Sequence, residues 1–285
     1  MNKERGLTEL LFSTRIKRTL PILTGLLLPA AYANKFPSEL LILSLVIVLI
    51  YSAASIHNAY KDNDYNLPKY SKTIIVILII LAILFASLNK IILITSILAI
   101  FLGYTYNTIA RYIVFGDGLI AGLTHYVLPI VTSSLLVGLD TKIIIQISII
   151  VYFIAICMGP ITNLKDIKED RKRGYKTLVN TVKNPFTVAI ILFEIQFFFI
   201  LILYFFFNLS YINLILLFPI YILKIFITTK IYQQKSKEAL NYLRLYLILS
   251  FTFLILSLTN NLYIIIQNLI ILILYLITII YSEMK

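Results

Sequence analysis

Long apolar runs follow one another along most of the 285-residue chain, and each approaches the length of a membrane-spanning helix. Such a helix needs about 20 mostly apolar residues. The last uncharged stretch, 245–282, is nearly two bilayers long, and Thr259, Asn260 and Asn261 mark a turn within it. We therefore expect an all-α, polytopic bundle of nine or ten transmembrane helices. The predicted spans are 19–34, 39–58, 71–88, 91–108, 118–138, 142–161, 186–207, 211–229, 241–258 and 262–281.

The composition indicates a membrane protein rather than a soluble one. Hydrophobic residues make up 60% of the chain and charged residues 13%, against roughly 45–50% and about 25% in soluble domains. The mean hydropathy is +0.94. These values exclude a soluble globular enzyme, a disordered chain and a nucleic-acid-binding domain, so we expect no nucleic-acid partner despite the net charge of +12. The single cysteine excludes a disulfide framework, and two histidines argue against a histidine-rich metal centre.

The 25 lysines and arginines divide unevenly between the two sides of the predicted membrane. With the N-terminus in the cytoplasm, all but Lys35, Lys90 and Lys142 fall on the cytoplasmic side, as the positive-inside rule requires. The first apolar run lacks a clear small-residue cleavage pattern, so we interpret it as a retained helix rather than a signal peptide. The sequence thus predicts a multi-pass protein of the cell membrane, with one domain over 1–285 and a cytoplasmic N-terminus.

Five of the 13 acidic residues fall in two short clusters, each directly after a predicted span. The first follows the second span, where Asn58, Asp62 and Asn66 are four residues apart and share one face if the helix continues. The second follows the sixth span, where Asp166 and Asp170 have the same spacing. Both clusters are predicted on the cytoplasmic side, four spans apart. This repeat suggests two related four-helix halves around a central cavity.

Two stripes of oxygen ligands that face each other across a bundle favour a hard divalent cation. Mg²⁺ is bound by one or two carboxylates and completes its shell with waters and substrate phosphates. A diphosphate would bridge such ions, and nearby lysines and arginines would neutralise its remaining charge. The alternative interpretation is that these acids are solvated loop charges. Metal chemistry alone does not name a reaction.

The two acidic clusters resemble the motifs of the UbiA superfamily of intramembrane prenyltransferases, in the form of its archaeal members. The family's first motif, Asn-x-x-x-Asp-x-x-x-Asp after the second helix, is matched by Asn58 and Asp62, with Asn66 in the third position. The second motif follows the sixth helix and is matched by 165–178, where Lys-Asp-Ile-Lys-Glu-Asp leads through a basic stretch to Gly-Tyr-Lys-Thr-Leu. The resemblance covers about residues 12–260. Weaker matches are Arg15, Arg18 and Pro21 at the first helix and Tyr104, Tyr106 and Arg111 after the fourth.

The resemblance implies an enzyme that transfers a prenyl group from an isoprenoid diphosphate to a hydrophobic, membrane-associated acceptor, either an aromatic ring or a lipid hydroxyl. Mg²⁺ would assist the departure of the diphosphate, and the resulting allylic carbocation would be shielded from water. The implied partners are therefore the isoprenoid diphosphate, the acceptor, Mg²⁺ and the lipid bilayer. The identity of the acceptor, the prenyl chain length and the oligomeric state stay open.

The resemblance also implies roles for individual residues, with Arg18, Arg111 and Lys165 as cations on the phosphates. The implied catalytic residues are Asp62, Asp166 and Asp170. The implied metal ligands are Asn58, Asp62, Asn66, Asp166 and Asp170. The implied substrate-binding residues are Asn58, Arg18, Tyr106, Arg111, Lys165 and Lys176.

An ion-coupled secondary transporter is the main alternative, and an inactive family member that binds lipid is another. Transporter sites lie near the bilayer midplane on helices broken by glycine or proline. Here the acids lie at the predicted membrane surface, and only Pro129, Pro219 and Gly122 interrupt spans in mid-course. The inactive member is suggested by Asn66 and by Ala59, which stands where many family members have a second acid or amide. Release of diphosphate in the presence of an acceptor distinguishes the enzyme from both.

Overall fold

The structure, a computed structural model, describes residues 9–63, 65, 67–208 and 215–283. Within these residues the fold is helical throughout, and no strand is present. The long helices, numbered in chain order, are α1 (Leu20–Ala33), α2 (Glu39–Asp62), α3 (Ser71–Ala86), α4 (Lys90–Thr108), α5 (Gly116–Val137), α6 (Thr141–Asn163), α7 (Pro185–Phe206), α8 (Leu217–Tyr232), α9 (Ser236–Leu258) and α10 (Leu262–Glu283). Short helical turns cover Ile16–Arg18, Ala110–Tyr112, Leu164–Asp166, Ile167–Lys172 and Leu178–Thr181.

Seven of the helices in the described part of the chain are long and apolar enough to cross a membrane, namely α2, α4, α5, α6, α7, α9 and α10. The predicted multi-pass, all-helical membrane fold is therefore confirmed. The shorter α1, α3 and α8 fall on the predicted spans 19–34, 71–88 and 211–229, and residues 209–214 lie outside the described part. The exact number of spans, nine or ten, stays a prediction, and so does the relationship between two four-helix halves.

Two helices begin with a side chain that satisfies their first backbone N–H groups. Asn89 precedes α4, and its Oδ1 accepts hydrogen bonds from the N–H groups of Ile91 and Ile92, at 2.9 and 3.3 Å. Asp140 precedes α6 and accepts a hydrogen bond from the Lys142 N–H at 2.8 Å. These N–H groups have no partner within the helix, so such caps define where the helix starts.

α1 lies in the core of the bundle, and the outer helices present their apolar side chains outwards. Residues 20–31 of α1 are all buried, and the helix packs against α5, α9 and α10. Ser133 of α5 donates a hydrogen bond to the Leu26 carbonyl of α1 at 2.7 Å, as small polar residues do between membrane helices. In contrast, Leu84 of α3 and Phe101 of α4 are exposed, as a surface in contact with lipid tails would be.

A glycine allows α5 and α6 to approach each other closely. A Cβ atom at Gly122 would lie 2.9 Å from Cγ2 of Ile156 and 3.1 Å from the ring of Tyr152. Contacts this short do not occur in well-packed interiors, so a larger residue at this position requires the neighbouring side chains or helices to shift. Gly122 itself also lines the cavity described below, so the close approach of the two helices lies at the wall of the cavity.

α5 contains a turn of π-helix over Leu123–Val127, just before Pro129. Proline has no backbone N–H to continue the normal ladder, and single π turns are frequent at functional sites. Two residues of this turn, His125 and Tyr126, line the cavity. The irregular backbone of α5 therefore lies beside the site.

The helices that carry the two acidic clusters run further than the sequence predicts. The second span is predicted to end at residue 58, but α2 continues to Asp62. The sixth is predicted to end at residue 161, but α6 continues to Asn163 and then through the turns Leu164–Asp166 and Ile167–Lys172. Asn58 and Asp62 of the first cluster and Asp166 and Asp170 of the second therefore lie in helical structure instead of loops.

Candidate active site

A cavity of about 420 Å³ lies among the N-terminal segment, α2, α4, α5, α6 and α9. Both acidic clusters open onto it, together with several buried or half-buried cations. Enclosed clefts that gather a few polar groups in apolar surroundings are typical of small-molecule sites. The charged residues and the asparagine of the first cluster that line it are Arg15, Arg18, Asn58, Asp62, Arg111, Asp117, Lys165, Asp166, Glu169, Asp170, Arg173 and Arg244.

Asn58 and Asp62 lie one turn apart on α2 and contact the same cation. Nη1 of Arg111 donates to Oδ1 of Asn58 at 2.7 Å and lies 3.0 and 2.8 Å from the two carboxylate oxygens of Asp62. Because one nitrogen reaches both side chains, they face the same way, as their spacing predicts. Asn66, the third member of this motif, lies outside the described residues.

Asp170, from the second motif, reaches the same arginine from the other side of the cavity. Its Oδ1 lies 4.0 Å from Nη2 of Arg111, and both side chains are buried. The two acidic clusters, far apart in the sequence, therefore meet around one guanidinium group. A buried charge of this kind is tolerated only when opposite charges and hydrogen bonds compensate it.

Asp166 lines the same cavity but in a different setting. It ends the short turn that follows α6, and its side chain is 45% exposed. Oδ2 of Asp166 pairs with Nζ of Lys165 at 3.1 Å. No hydrogen bond or ion pair joins it to Arg111 among the described residues. Asp166 is therefore less constrained than Asp170, although the family resemblance implies equal roles for them.

Tyr175 supports this arrangement, and the sequence did not single it out. Its hydroxyl donates a hydrogen bond to Oδ1 of Asp62 at 2.7 Å, and its ring lies 3.7 Å from the guanidinium carbon of Arg111. The ring thus adds a cation–π contact on the face of the arginine. Burial and the hydrogen bond to the Asp62 carboxylate raise the pKa of the Tyr175 phenol above its usual value. Tyr175 therefore stays protonated and donates at neutral pH.

Arg173 holds the end of α2 through its backbone. Nη2 of Arg173 donates to the carbonyl of Asp62 at 2.8 Å, and Nη1 lies 3.8 Å from the carboxylate of the same residue. Asp62 is the last residue of α2, where backbone carbonyls lack helical partners and a cation is favourable. The only signal for Arg173 and Tyr175 in the sequence is their place in the basic stretch that follows Asp170.

Asp117 is a further acid in the cavity that sequence analysis missed. It lies in the first turn of α5, is 6% exposed, and accepts a hydrogen bond from Nδ2 of Asn163 at 2.6 Å. Asn163 ends α6 just before the second motif, so this bond ties the start of α5 to that motif. Its only signal in the sequence is its position as an acid at the edge of an apolar run.

The other predicted substrate-binding residues divide into two groups. Arg18, Tyr106 and Lys165 line the cavity. Lys176 does not appear in its lining, and its side chain is exposed. Lys176 contributes through its main chain instead, because its N–H donates to the carbonyl of Arg111 at 2.7 Å. The structure therefore does not bring the Lys176 ammonium group to the site.

The described residues contain no group of three or more histidine, cysteine, aspartate or glutamate side chains gathered closely enough to hold a metal ion. Any ion bound here would rely on fewer carboxylates, supplemented by amide, water or ligand oxygens. Asn58, Asp62 and Asp170 offer such hard oxygen ligands around the position now held by Arg111. These oxygen atoms are of the kind that binds Mg²⁺.

Comparison of the sequence with protein families gives one match. The model of the UbiA prenyltransferase family matches residues 68–248, which is more than half of the chain. This region includes Arg111, the second acidic motif and Arg244. No curated protein sequence matches the chain significantly.

Several solved structures share the fold. A UbiA homolog from Aeropyrum pernix K1 in its apo form is similar to this chain with a TM-score of 0.68 and 15% identity, over 85% of this chain and 97% of that one. A digeranylgeranylglyceryl phosphate synthase is similar with a TM-score of 0.62 and 15% identity, over 88% and 98%. A UbiA homolog from Archaeoglobus fulgidus bound to DMAPP and Mg²⁺ gives 0.61 and 14%, over 86% and 99%. From its family match and its fold, this chain belongs to the UbiA prenyltransferase family.

Proposed function

We propose that this chain transfers a prenyl group from an isoprenoid diphosphate to a membrane-associated acceptor, either an aromatic ring or a lipid hydroxyl. One observation carries the proposal. Asn58 and Asp62 from the first motif and Asp170 from the second converge around the Arg111 guanidinium in a buried cavity. Support comes from the family of the chain and from the Archaeoglobus fulgidus homolog with the same fold that is bound to DMAPP and Mg²⁺.

The oxygens that surround Arg111 are proposed to hold Mg²⁺ as well. Asn58, Asp62 and Asp170 are the ligands we propose from the described residues, and their number suits an ion that uses one or two carboxylates plus substrate oxygens. Asp166 and Asn66 stay ligand predictions from the sequence. A bound Mg²⁺ would neutralise the negative charge that develops on a departing diphosphate.

Arg111 and its supporting residues are proposed to bind and orient the diphosphate. The planar guanidinium can give two parallel hydrogen bonds to phosphate oxygens, a geometry that a lysine cannot offer. Tyr175 acts as a positioning residue, because it fixes both Asp62 and the plane of Arg111. Lys165 and Tyr106 line the cavity and are proposed to contact the donor.

In the proposed reaction, the allylic C–O bond of the donor breaks and its electron pair leaves with the diphosphate. The carbocation then bonds to a ring carbon or hydroxyl oxygen of the acceptor, which loses a proton. The walls of the cavity exclude water from this cation. Tyr51, Tyr106 and Tyr126 line the cavity, and aromatic faces attract cations.

The placement in the membrane is part of the same proposal. The distribution of lysine and arginine favours the acidic clusters on the cytoplasmic side, where a water-soluble diphosphate is available. The apolar exterior of α3 and α4 would let a prenyl tail or a lipid acceptor reach the bundle from the bilayer. All of 1–285 is proposed to act as one membrane domain.

The test uses the purified full chain in detergent with Mg²⁺, radiolabelled geranyl diphosphate and a lipid extract as the acceptor source. We expect the label in a new apolar product, with release of diphosphate. Asp62→Asn and Asp170→Asn are expected to lower turnover by about a hundredfold or more. Asp140→Asn is the matched control, because Asp140 is exposed outside the cavity and asparagine also caps a helix. Full turnover in Asp62→Asn, or no transfer by the unmodified chain, would contradict the proposal.

A further inference from the structure

A second pocket, with a volume of about 230 Å³, lies between α2, α3 and α4 outside the candidate active site. None of the described residues that line it also lines the active-site cavity. We call it the outer pocket, because Tyr104 at its edge is 63% exposed on a face of the bundle that would contact lipid. Gly103 widens it, since an added Cβ atom there would meet no atom within 4 Å. The outer pocket therefore offers space to a molecule from the bilayer.

The outer pocket is apolar along most of its length and polar at one end. Its wall consists chiefly of small and aliphatic side chains, such as Ile50, Ala54 and Ala99. His57 and Asn107 form the polar end, near the ends of α2 and α4 that the sequence predicts on the cytoplasmic side. Between Ile50 and His57 the helix rises by about 10 Å. A lipid of the cytoplasmic leaflet has the same polarity, with its head at the surface and its chain towards the bilayer centre.

Asn107 has a buried amide oxygen without a partner. The residue is 2% exposed, and its Nδ2 donates a hydrogen bond to Nδ1 of His57 at 3.3 Å. Its backbone carbonyl accepts a hydrogen bond from Nζ of Lys61. Its Oδ1, however, accepts no hydrogen bond from any described residue. A buried carbonyl that is left unpaired is unfavourable, so this oxygen calls for a donor from a bound molecule.

The polar end presents one acceptor and one donor. Because the amide nitrogen of Asn107 can only donate, Nδ1 of His57 must be the unprotonated nitrogen, and the ring proton lies on Nε2. A hydroxyl group donates one hydrogen bond and accepts others, so it matches both Oδ1 of Asn107 and Nε2 of His57. An ether or ester oxygen can only accept, and it would leave Oδ1 of Asn107 unpaired.

The head of such a ligand should be neutral. No charged side chain lines the outer pocket in the part of the chain that the structure describes. Lys61 lies beside it, but its ammonium group bonds to the Asn107 carbonyl and lies 5.5 Å from the centre of the Tyr112 ring. A carboxylate or phosphate inside the pocket would therefore lose its hydration without gaining a compensating cation.

We propose that the outer pocket binds a membrane lipid whose head is a free hydroxyl. The hydroxyl lies between Asn107 and His57, and the chain extends along the small residues of α2 and α4 towards the bilayer centre. This site goes beyond prenyl transfer, because it shares no described lining residue with the active-site cavity. His57 directly precedes Asn58 on α2. The bound lipid therefore stabilises α2 beside the proposed Mg²⁺ site, from another face of the helix.

Binding is measured with the purified full chain in nanodiscs of phosphatidylcholine, a lipid without a free hydroxyl, and without Mg²⁺ or a prenyl donor. Dodecanol is compared with dodecyl methyl ether, which has the same chain but cannot donate a hydrogen bond. Dodecanol is expected to raise the unfolding midpoint, and the ether is expected to bind about tenfold more weakly. Equal effects of the two compounds would show that the hydroxyl is not recognised and would overturn the inference.

Asn107→Leu removes the unpaired oxygen, so the affinity for dodecanol should fall about tenfold, to that of the ether. Asn268→Leu is the matched control, because Asn268 is also buried in an apolar helix with one unpaired amide atom but lies outside the pocket. It should leave dodecanol binding unchanged. If Asn107→Leu does not fold, Gly103→Leu replaces it, since its side chain fills the pocket without a clash at Cβ. Wild-type affinity in the folded pocket variant would refute the site.

A dodecanol that carries a diazirine on its chain shows where the alcohol binds. After irradiation, the label is expected on the pocket-lining parts of α2, α3 and α4, and geranyl diphosphate with Mg²⁺ should not reduce it. Displacement by geranyl diphosphate would place the alcohol in the active-site cavity, and label confined to other helices would place it on the general lipid surface. Either result would overturn the inference. None of these measurements requires turnover, so a failure of prenyl transfer would leave the site intact.

Discussion

Arg111 and Asp62 form a buried contact in which one guanidinium nitrogen, Nη1, lies 3.0 and 2.8 Å from the two carboxylate oxygens. The arginine side chain is 9% exposed and the aspartate 2%. Asp62 is also a proposed magnesium ligand. A Mg²⁺ ion at the proposed site would therefore compete with Arg111 for the Asp62 carboxylate.

Removing the arginine should expose this competition. Arg111→Ala removes the closer of the two cations beside the buried Asp62, which is expected to lower the free energy of unfolding of the metal-free protein by about 3–5 kcal/mol. The same change should increase the affinity for Mn²⁺, used as a probe without diphosphate. The measurement is the rise of the unfolding midpoint with Mn²⁺ concentration. Arg171→Ala is the exposed control, and an equal response to Mn²⁺ in wild type and Arg111→Ala would refute the competition.

The hydroxyl of Tyr175 can be removed while its ring stays. Tyr175→Phe deletes the hydrogen bond to Asp62 but keeps the contact with Arg111. A hydrogen bond to a charged group is worth about 1.5–3 kcal/mol, so we expect a loss of stability of this order and a lower turnover. Tyr112→Phe serves as control, because Tyr112 packs against the edge of Tyr175 and is exposed. Equal stability of Tyr175→Phe and wild type would show that the hydroxyl is not needed.

The raised pKa of Tyr175 predicts a loss of stability in alkali. In the folded protein this phenol keeps its proton at a pH where an exposed tyrosine, with a pKa of about 10, has lost it. Its contribution to stability is therefore complete below about pH 10 and decreases as the pH rises further. The difference in unfolding free energy between wild type and Tyr175→Phe should shrink above that pH. A difference that stays constant from about pH 8 to about pH 11 would be inconsistent with this.

The close approach of α5 and α6 can be tested with alanine substitutions at two glycines. Gly122→Ala would place a methyl group 2.9 Å from Ile156, so we expect destabilisation by about 1–3 kcal/mol and an altered cavity. Gly103→Ala is the control, because no atom lies within 4 Å of the added methyl group and alanine favours a helix. Thermal unfolding in detergent compares the two. The interpretation fails if both substitutions have the same effect.

Asp170 and Asp166 should differ in importance despite their shared motif. Asp170 is buried beside Arg111, whereas the Asp166 side chain is 45% exposed and pairs with Lys165. We expect Asp170→Asn to lower turnover by about a hundredfold and Asp166→Asn to lower it less. Initial rates at saturating Mg²⁺ and donor give the comparison. A larger loss in Asp166→Asn would mean that Asp166 binds the metal more tightly than the metal-free geometry indicates.

The membrane fold could be predicted from the sequence because burial of apolar side chains in lipid depends on local composition. Within the part of the chain that the structure describes, each predicted span falls on a helix, although the ends differ where polar residues continue a helix. Asp62 and Asn163 extend α2 and α6 beyond the apolar windows, since backbone hydrogen bonds and tertiary partners hold them there. A hydropathy pattern does not reveal these tertiary contacts.

Part of the site could also be predicted from the sequence. The distribution of lysine and arginine between the two sides of the membrane predicted both acidic clusters on the same side. The pairing of Asp62 with Tyr175 could not be predicted, since it joins residues 113 positions apart and depends on how the loop that contains Tyr175 packs against the end of α2. Asp117 was missed for the same reason: its partner, Asn163, is on another helix. The sequence suggested a substrate-binding role for the Lys176 side chain, whereas in the structure the backbone N–H of Lys176 contacts the carbonyl of Arg111.

The stretch after Asp170 reaches the first half of the molecule through backbone atoms as well as side chains. The Lys176 N–H bonds to the carbonyl of Arg111, and Arg173 bonds to the carbonyl of Asp62. A substitution at Arg111 or Asp62 leaves the backbone carbonyl in place, so these two hydrogen bonds do not depend on the side chains at the acceptor positions. A chimera that takes this stretch from a relative must therefore keep the backbone at the end of α2 and in the turn Ala110–Tyr112 in the same positions.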